Sequence, residues 1–350
     1  MNKILTIGIP SYNRPNQLYE LLLSIDCNHK KIEILISDDK SPNQSEISRA
    51  VEKFKKKTRY KITYVKNNEN LGFDGNIRNI ISNASSKFIL FMGDDDLFIK
   101  NSLDLYINFL EKNEHYPYIL RSYITIHKSG LVENFKYLKS TSILRKGEET
   151  VAWLFKRSVT ISGFTINRNI ANSYSTIDLD GTLLYQVYLM AAVCLRYESI
   201  YCDIPVAHAV QSFRSGGALF GNSKAERERY TPGIISNDNS INFSKSYFEV
   251  AKYIDKRFNV NLLEKIRREI SSFSYPFLSI QRKNGRQNFL QYSKRLEVEL
   301  GLGCTVYFFI YKWCLYFLGE KICDKSIILI KKIVGYTPNL GQKVNNDSLQ

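Results

Sequence analysis

The 350-residue chain has little of what marks a disulfide-stapled or zinc-stapled scaffold. Its six cysteines (27, 194, 202, 304, 314 and 323) form no C-x-x-C pair, and no histidine stands at zinc-finger spacing. A structural zinc is therefore not expected. No signal-peptide pattern precedes the first strand-like stretch, Ile4 to Ile9, so a reduced, cytosolic chain with free thiols is expected. No internal repeat and no low-complexity linker breaks the sequence. The stretch after the first strand has no Gly-rich basic loop. It reads Pro10-Ser11-Tyr12-Asn13-Arg14, which counts against a nucleotidyltransferase. The most apolar run, Cys304 to Leu318, is near the lower limit for crossing a bilayer and carries Lys312 in its middle, with lysines 321, 325, 331 and 332 after it. A core helix and an interfacial helix on anionic lipid both remain open for it.

What is abundant is aromatic and basic. Tyr and Phe number 23 and 20, which argues against disorder. The formal net charge of +15 favours anionic partners: nucleotide-sugars, anionic lipid surfaces or nucleic acid. The run Lys53-Phe54-Lys55-Lys56-Lys57-Thr58-Arg59-Tyr60-Lys61 lies at a predicted helix C-terminus, where lysines are favourable anyway, and no nucleic-acid module accompanies it. It reads as a solvated face, and no nucleic-acid partner is expected.

The first hundred residues alternate strand and helix. Strands are predicted over 4–9, 32–36, 60–65 and 88–92. Between them lie a helix opened by Pro15 with Leu18, Leu21, Leu22 and Ile25 on one face, a helix from about Glu46, and a helix carrying Ile77, Ile80, Ile81 and Ala84. Such alternation implies a parallel, Rossmann-like sheet. Further on, strands are expected at 118–127 and 131–138, helices at 102–112, 148–155 and 183–196, and a strand over 200–209 interrupted at Pro205. From about Ser240 the chain reads as helical.

The acidic triplet Asp94-Asp95-Asp96 ends the apolar run 88–93. Carboxylates this close repel one another, and a divalent cation held by hard oxygen ligands is the usual remedy. Ligands of open α/β sheets sit beyond the carboxyl ends of the strands, where such a cation could hold a diphosphate. Three other motifs also fall at strand ends: Pro10 to Arg14, Ser37-Asp38-Asp39-Lys40-Ser41, and Asn70-Leu71-Gly72-Phe73 followed by Asn76-x-Arg78-Asn79. A carboxylate after strand two can accept the N–H of a uracil ring, and an Asx turn into Ser41-Pro42 fits the same residues.

In this order and spacing the four motifs resemble the nucleotide-sugar half of family 2 glycosyltransferases, enzymes of the GT-A fold, and above all bacterial enzymes that build surface polysaccharides such as O-antigen and capsule. The resemblance covers about residues 3–115 and weakens to a general layout by about 220. It implies an α/β fold: a Rossmann-like, mostly parallel sheet flanked by helices, then a mainly helical C-terminal region. The expected division is a nucleotide-sugar-binding half over 1–115, an acceptor-binding and catalytic half over 116–235, and a helical region over 236–350 that could associate with a membrane.

The resemblance also implies roles. Asp38 and Asp39 would read the base, flanked by Pro10, Tyr12, Asn13 and Arg14. Gly72 would turn the chain below the nucleotide, and Arg78 would pack beneath the site. Asp95 or Asp96 would coordinate Mn²⁺ or Mg²⁺ across the diphosphate, with Asp94 toward the ribose. Gly93 stands where the common family form has an aspartate, so the D-x-D register is Asp94/Asp96. His208 is a further metal candidate. The general base would be Asp180, with Asp178 second, although the family's Glu-Asp pair is absent and helix capping by an aspartate fits equally. Arg214, beside Gly216-Gly217, lies where relatives close a loop over the diphosphate, and Ser215 after it argues for adding one sugar, not polymerising. The expected activity is metal-dependent, inverting transfer from a nucleotide-sugar, a UDP-sugar by preference, to a saccharide acceptor. That acceptor is expected to be lipid-linked, at the inner, anionic face of the cell membrane. The rivals are a nucleotidyltransferase acting on sugar phosphates and a non-catalytic peripheral scaffold.

Overall fold

The computed structural model describes residues 3–29, 31–126, 130, 132–210 and 219–337. Its first hundred residues form β1 (Leu5–Ser11), α1 (Pro15–Leu23), β2 (Ile32–Asp38), α2 (Gln44–Lys55), β3 (Lys61–Lys66), α3 (Gly72–Asn83) and β4 (Phe88–Phe91). Pro15 stands in the first turn of α1, whose Leu18, Leu21 and Leu22 face the sheet. Every residue of β2 and β4 is buried, as expected of parallel strands covered on both faces. Alternation along β4 sends Phe88 and Leu90 into one apolar core and Ile89 and Phe91 into the other, on the opposite side of the sheet. Gly8 of β1 lets α3 approach: a Cβ there would meet Ile80 Cγ2 at 2.7 Å.

The middle of the chain forms β5 (Leu97–Phe98), α4 (Ser102–Lys112), β6 (Tyr118–Ile126), β7 (Val132–Phe135), β8 (Ser142–Leu144), α5 (Glu148–Phe155), β9 (Thr165–Asn167), α6 (Arg168–Ser173), α7 (Tyr185–Cys194) and β10 (Ser199–Val210). The ten-stranded sheet runs β3-β2-β1-β4-β9-β6-β10-β5, with β7 paired to β6 and β8 to β10. Strands β1 to β4 are mutually parallel, as are β6 and β10, while β9 is antiparallel to both β4 and β6. The expected break at Pro205 is instead a register shift against β6 between Cys202 and Ala207. Proline has no N–H to give the ladder, so the strand bulges there and continues. All ten residues of α7 are buried.

The remainder is helical: α8 (Lys224–Arg227), α9 (Asn237–Phe258), α10 (Leu263–Ser272), α11 (Tyr275–Arg282), α12 (Arg286–Leu300), a 3₁₀ turn at Leu302–Cys304, α13 (Val306–Leu318) and α14 (Glu320–Val334). Ile254, Ile266, Leu278, Phe289 and Phe308 join the core that holds α5 and α7. Among the described residues no helix is long and apolar enough to cross a membrane.

Candidate active site

The carboxyl ends of β1, β2 and β4 converge on a cavity of about 260 Å³. The loop after β1 crosses directly to the acidic triplet. Tyr12 N–H donates to Asp94 Oδ2 at 3.1 Å, and the Arg14 guanidinium lies 2.9 Å from Asp94 and 3.2 Å from Asp95. Asn13 takes a left-handed φ of +56°, a conformation asparagine tolerates, and its N–H donates to Ser41 Oγ.

The aspartate pair after β2 divides into two tasks. Asp38 accepts from Ser41 N–H at 3.0 Å and from the Tyr64 hydroxyl at 2.7 Å, shaping the turn. Asp39 lines the cavity and accepts from Leu71 N–H, Gly72 N–H and Asn67 Nδ2 at 2.7–3.0 Å. Burial nonetheless raises the Asp39 carboxyl to about 6, against the three hydrogen bonds that favour its ionised form. Gly72, at φ +73°, has no room for a side chain: a Cβ would lie 2.5 Å from Ser223 Oγ and 2.8 Å from Glu226 Oε1.

The triplet diverges. Asp94 and Asp95 line the cavity, whereas Asp96 turns inward to accept the Ser162 hydroxyl, which also accepts from Gly93 N–H. Burial and the neighbouring Asp95 push Asp94 up, against the pull of Arg14. Among the described residues no group of three His, Cys, Asp or Glu side chains forms a ready-made metal cage. A pair of carboxylates opening onto a cavity nevertheless suits a hard cation that takes its other ligands from substrate phosphates. His208 sits on β10 opposite Leu97, the residue after the triplet. Burial lowers its pKa, and it does not line the cavity.

Arg78 on α3 makes a two-pronged pair with Asp180, through Nη1 and, at 2.8 Å, through Nη2, and also donates to Thr176 O. It therefore pairs across 102 positions of sequence. Asp178 is exposed, accepts from the Tyr253 hydroxyl at 2.8 Å, and is lowered by that bond. Neither Asp178 nor Asp180 lines the cavity, and neither caps α7. The buried Asp74 does that, accepting from Leu183 and Tyr185 N–H at 2.9 Å, with burial raising it to about 7. Arg214 lies outside the described residues.

The motifs gave no notice of Ser162, Asp74 or Glu226. Glu226 is 3% exposed. It accepts from Phe73 N–H at 2.8 Å and from Gly221 and Asn222 N–H at 2.9 and 3.1 Å. It thereby ties the turn bearing Leu219, Phe220 and Asn222, all on the cavity wall, to the start of α3. Its one sequence signal is the capping box Ser223-x-x-Glu226, which the structure contains at the start of α8.

Residues 6–174 match the family described as Glycosyl transferase family 2. The chain is 34% identical over 137 residues to an uncharacterised glycosyltransferase of Rickettsia conorii, a match covering 39% of this chain and 21% of that protein. It is 28% identical over 152 residues to the GalNAc(5)-diNAcBac-PP-undecaprenol beta-1,3-glucosyltransferase of Campylobacter jejuni, covering 42% of this chain and 48% of that one. The chain thus spans between about a fifth and about half of the length of these curated relatives. Its fold is similar to that of S. aureus TarS 1-349 in complex with UDP-GlcNAc, with a TM-score of 0.53 at 17% identity over 85% of this chain and 77% of that one.

Proposed function

Since residues 6–174 make the chain a member of glycosyl transferase family 2, we propose that it transfers a single sugar, with inversion, from a UDP-sugar to a hydroxyl of a lipid-linked saccharide in surface-polysaccharide synthesis. The observation that carries this reading is one cavity at the ends of β1, β2 and β4 lined by Asp39, Asp94 and Asp95. Such a lining suits a base held by Asp39 and a diphosphate held near Asp94 and Asp95. Residues 1–115 would then serve the donor, 116–235 the acceptor, and 236–350 the docking of the enzyme at the inner membrane face.

Asp39 would accept the uracil N–H while Tyr12 and Phe73 wall the nucleotide. Asp94 and Asp95 would hold Mn²⁺ or Mg²⁺ together with diphosphate oxygens, and a bound cation would offset charge on the departing UDP. Asp180 would take the proton of the acceptor hydroxyl, with Arg78 fixing the orientation of its carboxylate. The acceptor in the Campylobacter relative's name, a saccharide on a polyprenyl diphosphate, supports a lipid-linked acceptor here.

A second reading, a family member that binds but does not turn over, is favoured by one observation: both Asp180 oxygens are engaged by Arg78, outside the cavity wall. Calorimetric titration of UDP with and without Mn²⁺, on wild type and Asp95→Ala, tests the donor site. Cation-dependent binding that the variant loses supports it. No UDP binding in either condition overturns the donor assignment. Release of UDP from UDP-sugars in the presence of a lipid-linked acceptor then separates the enzyme from the silent binder.

A further inference from the structure

The final two helices invert the usual pattern of burial. Half of the large apolar side chains exposed in the described molecule lie on α13 and α14, between Val306 and Val334. On α13, Phe308 and Leu315 turn inward. Val306, Ile310, Trp313 and Phe317, at steps of four, three and four, form an outward stripe, with Trp313 46% and Phe317 66% exposed. On α14, Cys323 and Ile328 turn inward while Ile322, Leu329, Ile330 and Ile333 face out, Ile333 at 77% exposure. Gly319, at φ +78°, joins the two helices.

Resting on the reading that the acceptor is lipid-linked, we propose that this helical pair is the enzyme's docking surface for an anionic bilayer, lying in the headgroup plane with the α13 stripe inserted. Helices of 13 and 15 residues are too short to cross a bilayer. An aromatic and aliphatic stripe is suited to the interface, where tryptophan is favoured. The charge beside it decides the partner. Lys321, Lys325 and Lys332 are exposed on α14 and outnumber its two acids, Glu320 and Asp324, of which Asp324 is occupied by the Tyr275 hydroxyl at 2.6 Å. Lipid phosphates complement those ammonium groups. A second copy of the chain would set the lysines against lysines.

The test is flotation of the full chain with phosphatidylglycerol-containing and purely phosphatidylcholine vesicles, in parallel with tryptophan quenching by brominated lipid. The chain has two tryptophans, and Trp153 is 2% exposed, so lipid-dependent quenching reports Trp313. Wild type is expected to float with anionic vesicles and be quenched. Ile310→Ser/Trp313→Ser/Phe317→Ser is expected to lose at least about tenfold in vesicle affinity while binding UDP as wild type does. Equal flotation of the triple variant, or a wild-type dimer in light scattering that dissociates in the variant, overturns the proposal. Wild type that binds UDP but ignores anionic vesicles overturns the docking surface and leaves the donor site standing, whereas flotation without UDP binding does the reverse.

Discussion

The strand-end platform and the C-terminal helical pair break opposite rules of folding. The platform buries charge: Asp39, Asp74 and Asp94 are all under 5% exposed. The helical pair exposes hydrocarbon. Each is costly in isolation. The platform offsets its cost internally, because its carboxylates take backbone N–H groups from loops distant in sequence: Tyr12 on Asp94, Leu71 and Gly72 on Asp39, Leu183 and Tyr185 on Asp74. Nothing comparable covers Trp313 or Ile333 among the described residues. The contrast separates a site proposed to take a small ligand from a surface proposed to take a large one.

The sharpest way to break this comparison is at Asp180. If it is the base, Asp180→Asn is expected to lower kcat by roughly 10²–10⁴ with unchanged UDP affinity, measured by UDP release. Arg78→Lys, which removes the two-pronged geometry, is expected to lower kcat less and shift its pH profile. Equal turnover by wild type and Asp180→Asn would move the base elsewhere.

Next in size is Asp39→Ala, which leaves Leu71 N–H without its acceptor and Gly72 N–H with Asn70 Oδ1 at 3.2 Å alone. A stability loss of about 1–3 kcal/mol is expected in urea unfolding. UDP binding in the same variant is expected to weaken by at least about tenfold in calorimetry.

A third prediction concerns pH. Asp39 and Asp74 are raised in the folded state, to about 6 and about 7, from an ordinary 3.8. The folded chain therefore holds these protons more firmly than the unfolded one. Their contribution to stability is fully present below about pH 4 and is lost as pH rises through 6 to 7. UDP binding is expected to move the other way, since an ionised Asp39 is the proposed acceptor of the uracil N–H. Thermal unfolding and calorimetry at pH 5 and pH 8 check both slopes, and Asp39→Asn should flatten the second.

Smaller still, Glu226→Gln keeps the shape but weakens the tie between α3 and the turn bearing Phe220. The donor KM is expected to rise by up to about tenfold with kcat held. The lysine run 53–61 marks the floor of the scale. Replacing Lys55, Lys56 and Lys57 by Gln is expected to change stability by no more than about 0.5 kcal/mol in urea unfolding, and UDP affinity not at all.

Much of the platform was legible in the chain. The four strands, their helices and the polar motifs at the strand ends follow from periodicity and from Pro15, and α4 and α5 begin and end where predicted. The short strands were not. β5 and β9 are two and three residues long, and β9 exists because β4 and β6 present ladders on either side of it. Nothing local marks so short a segment as a strand. Glu226 was invisible as part of the cavity because its partner Phe73 lies 153 residues away.

By itself, the sequence determined that a parallel α/β half would place acidic and polar motifs at strand ends, since the period of the apolar residues and the order of strand and helix are local properties. Tertiary structure decided which of those carboxylates face the cavity. Asp39, Asp94 and Asp95 open onto the cavity, while Asp38 is spent on a turn and Asp96 on Ser162. It decided too that the apolar stripe of α13 points outward. The same run could have been core, and only the inward packing of Phe308 and Leu315 leaves Trp313 and Phe317 on the surface. The reason is common to both: identity and spacing are written along the chain, whereas the direction in which a side chain points depends on what the rest of the fold sets opposite it.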